Sequence, residues 1–148
     1  MKSIWAGLLG VIPLLLVTTA CGPQAEDFSG TYLGTLERTE TRGAQIFMQT
    51  RESYLVYIAP GERKEALIQF RNECAVRAQV DKDGTFEISN QACKETLDSS
   101  SLDATVNGSG TLSESGELTL NLTLEGTASL NTDSYDYTST ESFTGGLQ

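Results

Sequence analysis

The segment Leu118-Thr-Leu-Asn-Leu-Thr-Leu124 alternates apolar and polar side chains without a break. Successive side chains of a β-strand point to opposite faces, so the leucines would share one face and the polar residues the other. A helix would instead spread leucines at every second position around its circumference. The segment therefore predicts a strand with one buried face, on which Leu120 and Leu122 point to the core while Asn121 and Thr123 point outward.

The same period of two recurs on both sides of this segment. Runs of alternating residues cover 28–36, 46–49, 54–58, 66–70, 74–80, 86–88, 102–112 and 135–143. Between the runs stand Gly, Pro and Asp residues with the chemistry of hairpin turns, at 41–43, 60–62, 81–84 and 114–116. Short strands joined by short turns predict a single all-β domain, 28–148, folded as an antiparallel meander of about eight strands.

We expect this sheet to close. An open meander exposes two edge strands, and a barrel removes both, so a lipocalin-like barrel is predicted, with a β-sandwich as the alternative. Inward glycines such as Gly34 and Gly110 would let the wall bend. Residues 97–103 are expected to form the longest loop, and a short helix within 62–70 is an alternative to a strand there. The inward side chains are expected to include Tyr32, Ile46, Tyr54, Ile68 and Phe86.

Residues 1–20 have the pattern of an export signal. Lys2 provides a positive start, the apolar run from Ile4 to Val17 follows, and small residues end the segment. An apolar run of about fourteen residues is too short to cross a hydrocarbon core of ~30 Å as a helix. The pattern predicts a secretory signal peptide that is absent from the mature protein.

The end of this segment, Val17-Thr-Thr-Ala-Cys21, resembles the lipobox of bacterial lipoproteins. In that family the cysteine becomes the first mature residue and carries diacylglycerol on its sulfur. Thr19 and Ala20 fit the small positions, whereas Thr18 stands where the family usually has leucine. The resemblance implies that Cys21 is lipidated, that residues 21–27 are the lipidated cysteine and its tether, and that the chain is anchored to a membrane. Cleavage by the ordinary signal peptidase is the alternative.

The resemblance also bears on location. Residue 22 is glycine. Many Gram-negative lipoproteins that stay in the inner membrane have aspartate at this place, so its absence implies the outer membrane.

The remaining cysteines form a pair. Three cysteines in an exported protein leave one odd thiol, so acylation of Cys21 would leave Cys74 and Cys93 together. An oxidising compartment favours a structural disulfide between them. A metal or redox pair is the alternative, but the domain has no histidine and no third cysteine to complete such a site. No metal ion or cofactor is predicted.

Composition excludes several classes of function. The 148 residues include no histidine, which removes serine–histidine and cysteine–histidine nucleophiles and histidine bases. The net charge of −10 argues against nucleic acid, whose phosphates require a basic surface. The sequence therefore predicts a protein that is not an enzyme and does not bind nucleic acid.

Charge is unevenly distributed along the chain. Residues 95–148 contain nine Asp and Glu but neither Lys nor Arg, so no base within the segment can neutralise them. Strand alternation predicts that many of these acids point outward, in particular Asp98, Asp103, Glu117 and Glu125. Such a face would either meet a basic partner or, in the simpler interpretation, keep an anchored protein soluble.

These observations support several function hypotheses. The first is a non-enzymatic envelope lipoprotein, a structural or interaction module at the outer membrane with an envelope protein as its partner. Phe28-Ser-Gly-Thr-Tyr32 looks like the aromatic-x-glycine opening of lipocalin-type barrels, which implies a carrier of a small apolar ligand. Some lysozyme inhibitors are small disulfide-bonded β-barrel lipoproteins, and the chain resembles them in size class and acidity, which implies an inhibitor of a basic enzyme.

Overall fold

A 3₁₀ helix, Ala25–Phe28, and eight strands make up the computed structural model, which describes residues 25–148 except residues 63, 72, 82 and 114. The predicted signal peptide and Cys21 lie outside the described residues. Ala25, within the predicted tether, is buried in the domain. The described residues include no helix long and apolar enough to cross a membrane. The strands are β1 (Gly30–Arg42), β2 (Gln45–Pro60), β3 (Glu65–Gln69), β4 (Ala75–Val80), β5 (Thr85–Leu97), β6 (Ser100–Leu112), β7 (Glu117–Leu130) and β8 (Asp133–Leu147).

The strands close into a barrel. Each strand pairs antiparallel with its neighbour in chain order, and β1 pairs with β8. The closing register runs from Tyr32 opposite Leu147 to Arg42 opposite Tyr137. The predicted all-β meander and closed barrel are confirmed, and the sandwich alternative is wrong. Residues 65–69, for which a helix was the alternative, form strand β3.

Side-chain alternation places the core inside the barrel. Leu118, Leu120, Leu122 and Leu124 of β7 are buried, whereas Asn121 between them is exposed. The four leucines meet inward residues from the other strands, because a closed wall has only one interior. Among the predicted inward residues, Tyr32, Ile68 and Phe86 are buried and Tyr54 packs partly buried against the core.

Replacing Leu122 with alanine is expected to lower the free energy of unfolding by roughly 2–5 kcal/mol, because it removes buried methyl groups and leaves a cavity. Thr123→Ala, on the outward face of the same strand, is the matched control and should change that free energy by about 0.5 kcal/mol or less. Urea unfolding followed by far-UV circular dichroism measures both. Equal losses would show that β7 does not have one buried face.

Aromatic side chains plug one end of the barrel, which we call the closed end. Phe28 of the 3₁₀ helix packs edge-on against Phe86, with ring centroids 5.5 Å apart. The Tyr32 hydroxyl donates to the Phe28 carbonyl oxygen at 2.9 Å. Gly110 lies beside the Phe86 ring, where a Cβ atom would overlap it. Glycine at this inward position therefore makes room for the plug.

Strands β3 and β4 are too short to complete the wall at the opposite end, which we call the open end. β2 pairs with β3 only from Tyr57 to Pro60, and β4 pairs with β5 only at Gln79 and Val80. Toward the open end, the remaining parts of β2 and β5 are separated by the segment that joins β3 to β4. This segment, residues 70–74, carries Arg71 into the barrel mouth.

Two expectations about this wall are wrong. Ile46 is 64% exposed because a bulge in β2 interrupts the alternation: Met48 pairs with Glu40, but Ile46 pairs with Thr41. An extra residue in one strand makes the side chains before it and after it follow opposite alternation, so Ile46 lies on the face opposite to the one that its even number predicts. The predicted loop at residues 97–103 is a tight turn instead. Its serines continue into β6, and Asp98 adopts the left-handed φ of 50° that lets the chain reverse.

Candidate functional site

Charged side chains gather inside the open end. Arg38 and Glu40 come from β1, Glu95 from β5, Glu141 from β8, and Arg71 from the segment between β3 and β4. Their side chains are only 2–24% exposed. Buried charges of this kind are rare unless they are paired, so the five residues, which we call the ion cluster, mark the unusual part of the interior.

Arg71 is the centre of the ion cluster. Its Nε donates to Glu141 Oε1 at 3.0 Å, and its Nη1 donates to Glu95 Oε2 at 3.3 Å. Its Nη2 donates to the Tyr137 hydroxyl at 3.0 Å and also pairs with Glu141. Arg38 Nε donates to the same Glu141 oxygen at 3.1 Å. One carboxylate therefore holds two guanidinium groups in the barrel mouth.

The electrostatics follow from this arrangement. Burial by itself lowers the pKa of Arg71. The charges and hydrogen bonds of Glu141 and Tyr137 outweigh this effect, so the pKa of Arg71 lies above its ordinary value. Burial raises the pKa of Tyr137, whose hydroxyl donates to Glu40 Oε1 at 2.9 Å. Each carboxylate of the cluster faces a guanidinium group. These ion pairs hold the side chains of the cluster in place at the barrel mouth.

The segment that carries Arg71 is tied to both flanking strands. The Tyr54 hydroxyl of β2 donates to the Phe70 carbonyl oxygen at 2.6 Å. On the other side, Cys74 and Cys93 form a disulfide whose Cα atoms are 5.1 Å apart, and Glu73 accepts from the Thr96 amide at 2.9 Å. The predicted disulfide is therefore present, and it fixes the Arg71 segment against β5.

Removing the disulfide with Cys74→Ala and Cys93→Ala together is expected to lower the free energy of unfolding by about 3 kcal/mol, because the crosslink restricts the conformational freedom of the unfolded chain. Chemical denaturation of the wild-type and variant proteins, without reductant, measures the difference. Thiol titration of the denatured, unreduced wild-type domain is the independent check. Two reactive thiols from Cys74 and Cys93 would rule out the bond.

Above the ion cluster lies a recess of about 230 Å³. Arg42 stands at its rim, with its guanidinium carbon 3.2 Å from the Phe47 ring centroid and 4.5 Å from that of Tyr135. Among the described residues, no carboxylate lies within salt-bridge distance of Arg42. A guanidinium group held by two rings offers its donors to a carboxylate or phosphate. The lining includes Glu40, Arg42, Arg71, Glu95, Tyr135 and Tyr137.

Below the ion cluster, the described apolar side chains pack into one core. The apolar space between Leu36, Val56, Phe70 and Leu120 amounts to about 10 Å³. Pockets that enclose small ligands usually measure about 300–1,000 Å³. The inward aromatic and aliphatic side chains that could have lined a chamber pack against one another instead.

The acidic half of the chain divides between interior and surface. Glu95 and Glu141 are neutralised by Arg71 and Arg38, and Asp103 pairs with Lys94, so the expectation that these acids lack nearby bases is wrong for these three. Barrel closure is the reason for Glu95 and Glu141, because it brings β1 and the Arg71 segment against β8 and β5. The acids expected to point outward do so: Asp98, Asp103, Glu117 and Glu125 are exposed.

Three outward acids lie close together on neighbouring strands. Asp103 of β6 and Asp136 of β8 both pair with Thr127 of β7, and Glu125 is two residues from Thr127 on the same face. Strand spacing puts the Asp103 and Asp136 backbones about 10 Å apart. Lys94 contacts Asp103 at 2.7 Å, but both side chains are mostly exposed. We call Asp103, Glu125 and Asp136 the acidic wall.

The ion cluster was not singled out from the sequence. One signal was available: Arg38 and Glu40 share the parity of the buried Leu36, and Glu141 shares that of Phe143. Arg71 had no such signal, because it lies outside the strands. A scan against protein-family models finds no match to this chain, and a comparison with curated proteins finds no similar sequence.

Proposed function

We propose that the chain is a non-enzymatic lipoprotein of the cell envelope, anchored to the outer membrane through Cys21 after removal of residues 1–20. The observation that supports the anchor is the pairing of Cys74 with Cys93, which leaves Cys21 as the one cysteine available for acylation. The small residues before Cys21 support the same proposal. Acyl chains on Cys21 hold the folded domain at the bilayer.

The folded domain acts as an interaction module. The tight packing below the ion cluster supports this role over that of a carrier, since the apolar space between Leu36, Val56 and Phe70 is about 10 Å³. An envelope protein is the proposed partner. The open end presents Arg42 between its two rings, while β6–β8 present carboxylates.

A second candidate function is inhibition of a basic enzyme such as lysozyme, and the acidic wall favours it. Its carboxylates point outward on three neighbouring strands that contain neither Lys nor Arg. A basic surface would be attracted to them over about 8 Å at physiological ionic strength. Electrostatic attraction of this kind increases the association rate and falls as salt rises.

Neutralising the acidic wall with Asp103→Asn, Glu125→Gln and Asp136→Asn is expected to abolish recovery of basic partners from envelope extract. The matched control, Glu37→Gln, Glu52→Gln and Glu87→Gln, changes the net charge equally at exposed positions on β1, β2 and β5. Affinity capture with the wild-type domain and both variants, at low and at high salt, measures the effect.

The control variant should keep its partners, because binding is expected to depend on where the carboxylates lie and not on the net charge of the domain. Recovery of the same proteins by all three domains would contradict recognition through the acidic wall. Lower solubility of the acidic-wall variant with unchanged recovery would identify these carboxylates as a solubilising coat.

A further inference from the structure

Four large apolar side chains form a patch on the outside of the barrel. Leu33, Leu55, Tyr57 and Leu67 are each 38–48% exposed. Leu33 pairs directly with Leu55 across β1 and β2, and Tyr57 follows two residues later on the same face. Leu67 of β3 pairs with Ala59, the next outward residue of β2. Single exposed apolar residues are ordinary, but a contiguous group marks a contact surface.

The chain enters the domain beside this patch. The 3₁₀ helix Ala25–Phe28 packs against β2 and β3, and both Ala25 and Phe28 are buried. Cys21 precedes Ala25 by four residues. Four fully extended residues span at most about 14 Å. A lipid on Cys21 would therefore hold Ala25, at the start of the helix that packs against β2 and β3, within about 14 Å of its anchoring point.

The distribution of charge also favours an orientation in which the patch faces the membrane. In the barrel order, β6 and β7, which carry Asp103 and Glu125, lie four strands from β2 and β3, whereas Asp136 is on β8, next to β1. Most of the acidic wall is therefore on the side of the barrel away from Tyr57 and Leu67. Near the patch, acids are paired with bases. Arg51 Nε lies 3.5 Å from Glu37 Oε1, and Arg77 Nη1 lies 3.9 Å from Glu65 Oε2. An anionic lipid surface would repel the acidic wall and leave the more balanced side turned toward it.

We propose that Leu33, Leu55, Tyr57 and Leu67 rest on the phospholipid surface to which Cys21 is anchored. The barrel lies with this wall on the bilayer, and its acidic wall faces away. Leucines enter the acyl boundary, and Tyr57 suits the headgroup level because its ring is apolar and its hydroxyl polar. This inference rests on the proposed lipid anchor and adds to it an orientation and a contact surface.

Tryptophan fluorescence tests the contact in the mature lipoprotein. The chain has one tryptophan, Trp5, within the predicted signal peptide, so a Tyr57→Trp variant carries a single probe. The matched control is Thr127→Trp, at an exposed position of β7. Each protein is reconstituted into vesicles of phosphatidylethanolamine and phosphatidylglycerol with brominated acyl chains, and the mass of its N-terminal peptide is recorded.

With Cys21 acylated, the Tyr57→Trp probe should shift to shorter wavelength and lose most of its emission to the brominated lipid. The Thr127→Trp probe should keep an aqueous spectrum without quenching. Adding Leu33→Ser and Leu55→Ser to the Tyr57→Trp protein should restore its emission, although acylation still keeps the protein on the vesicles.

Two results would overturn the contact while leaving the anchor intact. One is an acylated, vesicle-bound Tyr57→Trp protein with an aqueous, unquenched spectrum. The other is a blue shift without bromine quenching that disappears as protein per vesicle is diluted, which would assign the patch to a second copy of the chain. An unmodified Cys21 in the mass measurement would overturn both the anchor and the inference that rests on it.

Discussion

Replacing Arg71 with methionine is expected to lower the free energy of unfolding by about 3–5 kcal/mol, the usual effect of removing one partner from a buried ion pair. Methionine keeps an unbranched, flexible side chain but not the charge. Glu141, Glu95 and Glu40 would then have Arg38 as the remaining guanidinium group of the ion cluster. Three carboxylates beside one guanidinium group leave excess negative charge in a site that is poorly exposed to water.

The matched control is Arg77→Met. Arg77 also pairs with a glutamate, but its side chain is 68% exposed and lies 3.9 Å from Glu65. Its replacement should therefore lower the free energy of unfolding by less than about 1 kcal/mol. Urea unfolding compares the two variants. A double variant, Arg71→Met with Glu141→Leu, should recover part of the loss because it removes one of the three carboxylates that Arg71 no longer balances. Strictly additive effects would contradict direct coupling between Arg71 and Glu141.

The strand pattern was predictable because the alternation within each strand is enough to show which side chains point into the barrel. Alternation along β7 alone places its leucines inward, and turn residues such as those at 81–84 end the strands. The errors occur where one residue changes the register. The bulge in β2 turns Ile46 outward. The left-handed φ of Asp98 allows a tight turn where the sequence predicted a loop. Neither feature has a strong signature in side-chain polarity.

The ion cluster was not predictable in the same way. Arg71 lies 70 residues from Glu141 and 24 from Glu95 along the chain. Only the closed barrel brings these residues together, and only the short β3 and β4 leave the space that the Arg71 segment crosses. The disulfide was easier, because three cysteines allow few pairings and a hairpin joins Cys74 to Cys93.

Replacing Cys21 with serine is expected to transfer the protein from the membrane fraction to the soluble fraction almost completely. A serine hydroxyl cannot take the place of the sulfur that carries the diacylglycerol in the lipoprotein family. Without acyl chains, the contact surface on β1–β3 is too small to hold the domain on a bilayer by itself, since stable anchoring requires more than one hydrophobic signal. Fractionation and immunoblotting measure the change.

The matched control removes cysteines elsewhere. Cys74→Ala with Cys93→Ala loses the disulfide but keeps Cys21, so this protein should stay in the membrane fraction despite its lower stability. A Cys21→Ser protein that has lost residues 1–20 and still remains with the membrane would mean that the domain is retained by a partner rather than by lipid.

The mass of the N-terminal peptide decides whether Cys21 carries a lipid anchor. After Lys2, the first site for trypsin is Arg38, so digestion of protein extracted from membranes isolates this region in one peptide. We expect a peptide of residues 21–38 that carries diacylglycerol and a further acyl chain on Cys21. A peptide of residues 21–38 with an unmodified cysteine, or one that still contains residues 3–20, would contradict the proposed anchor.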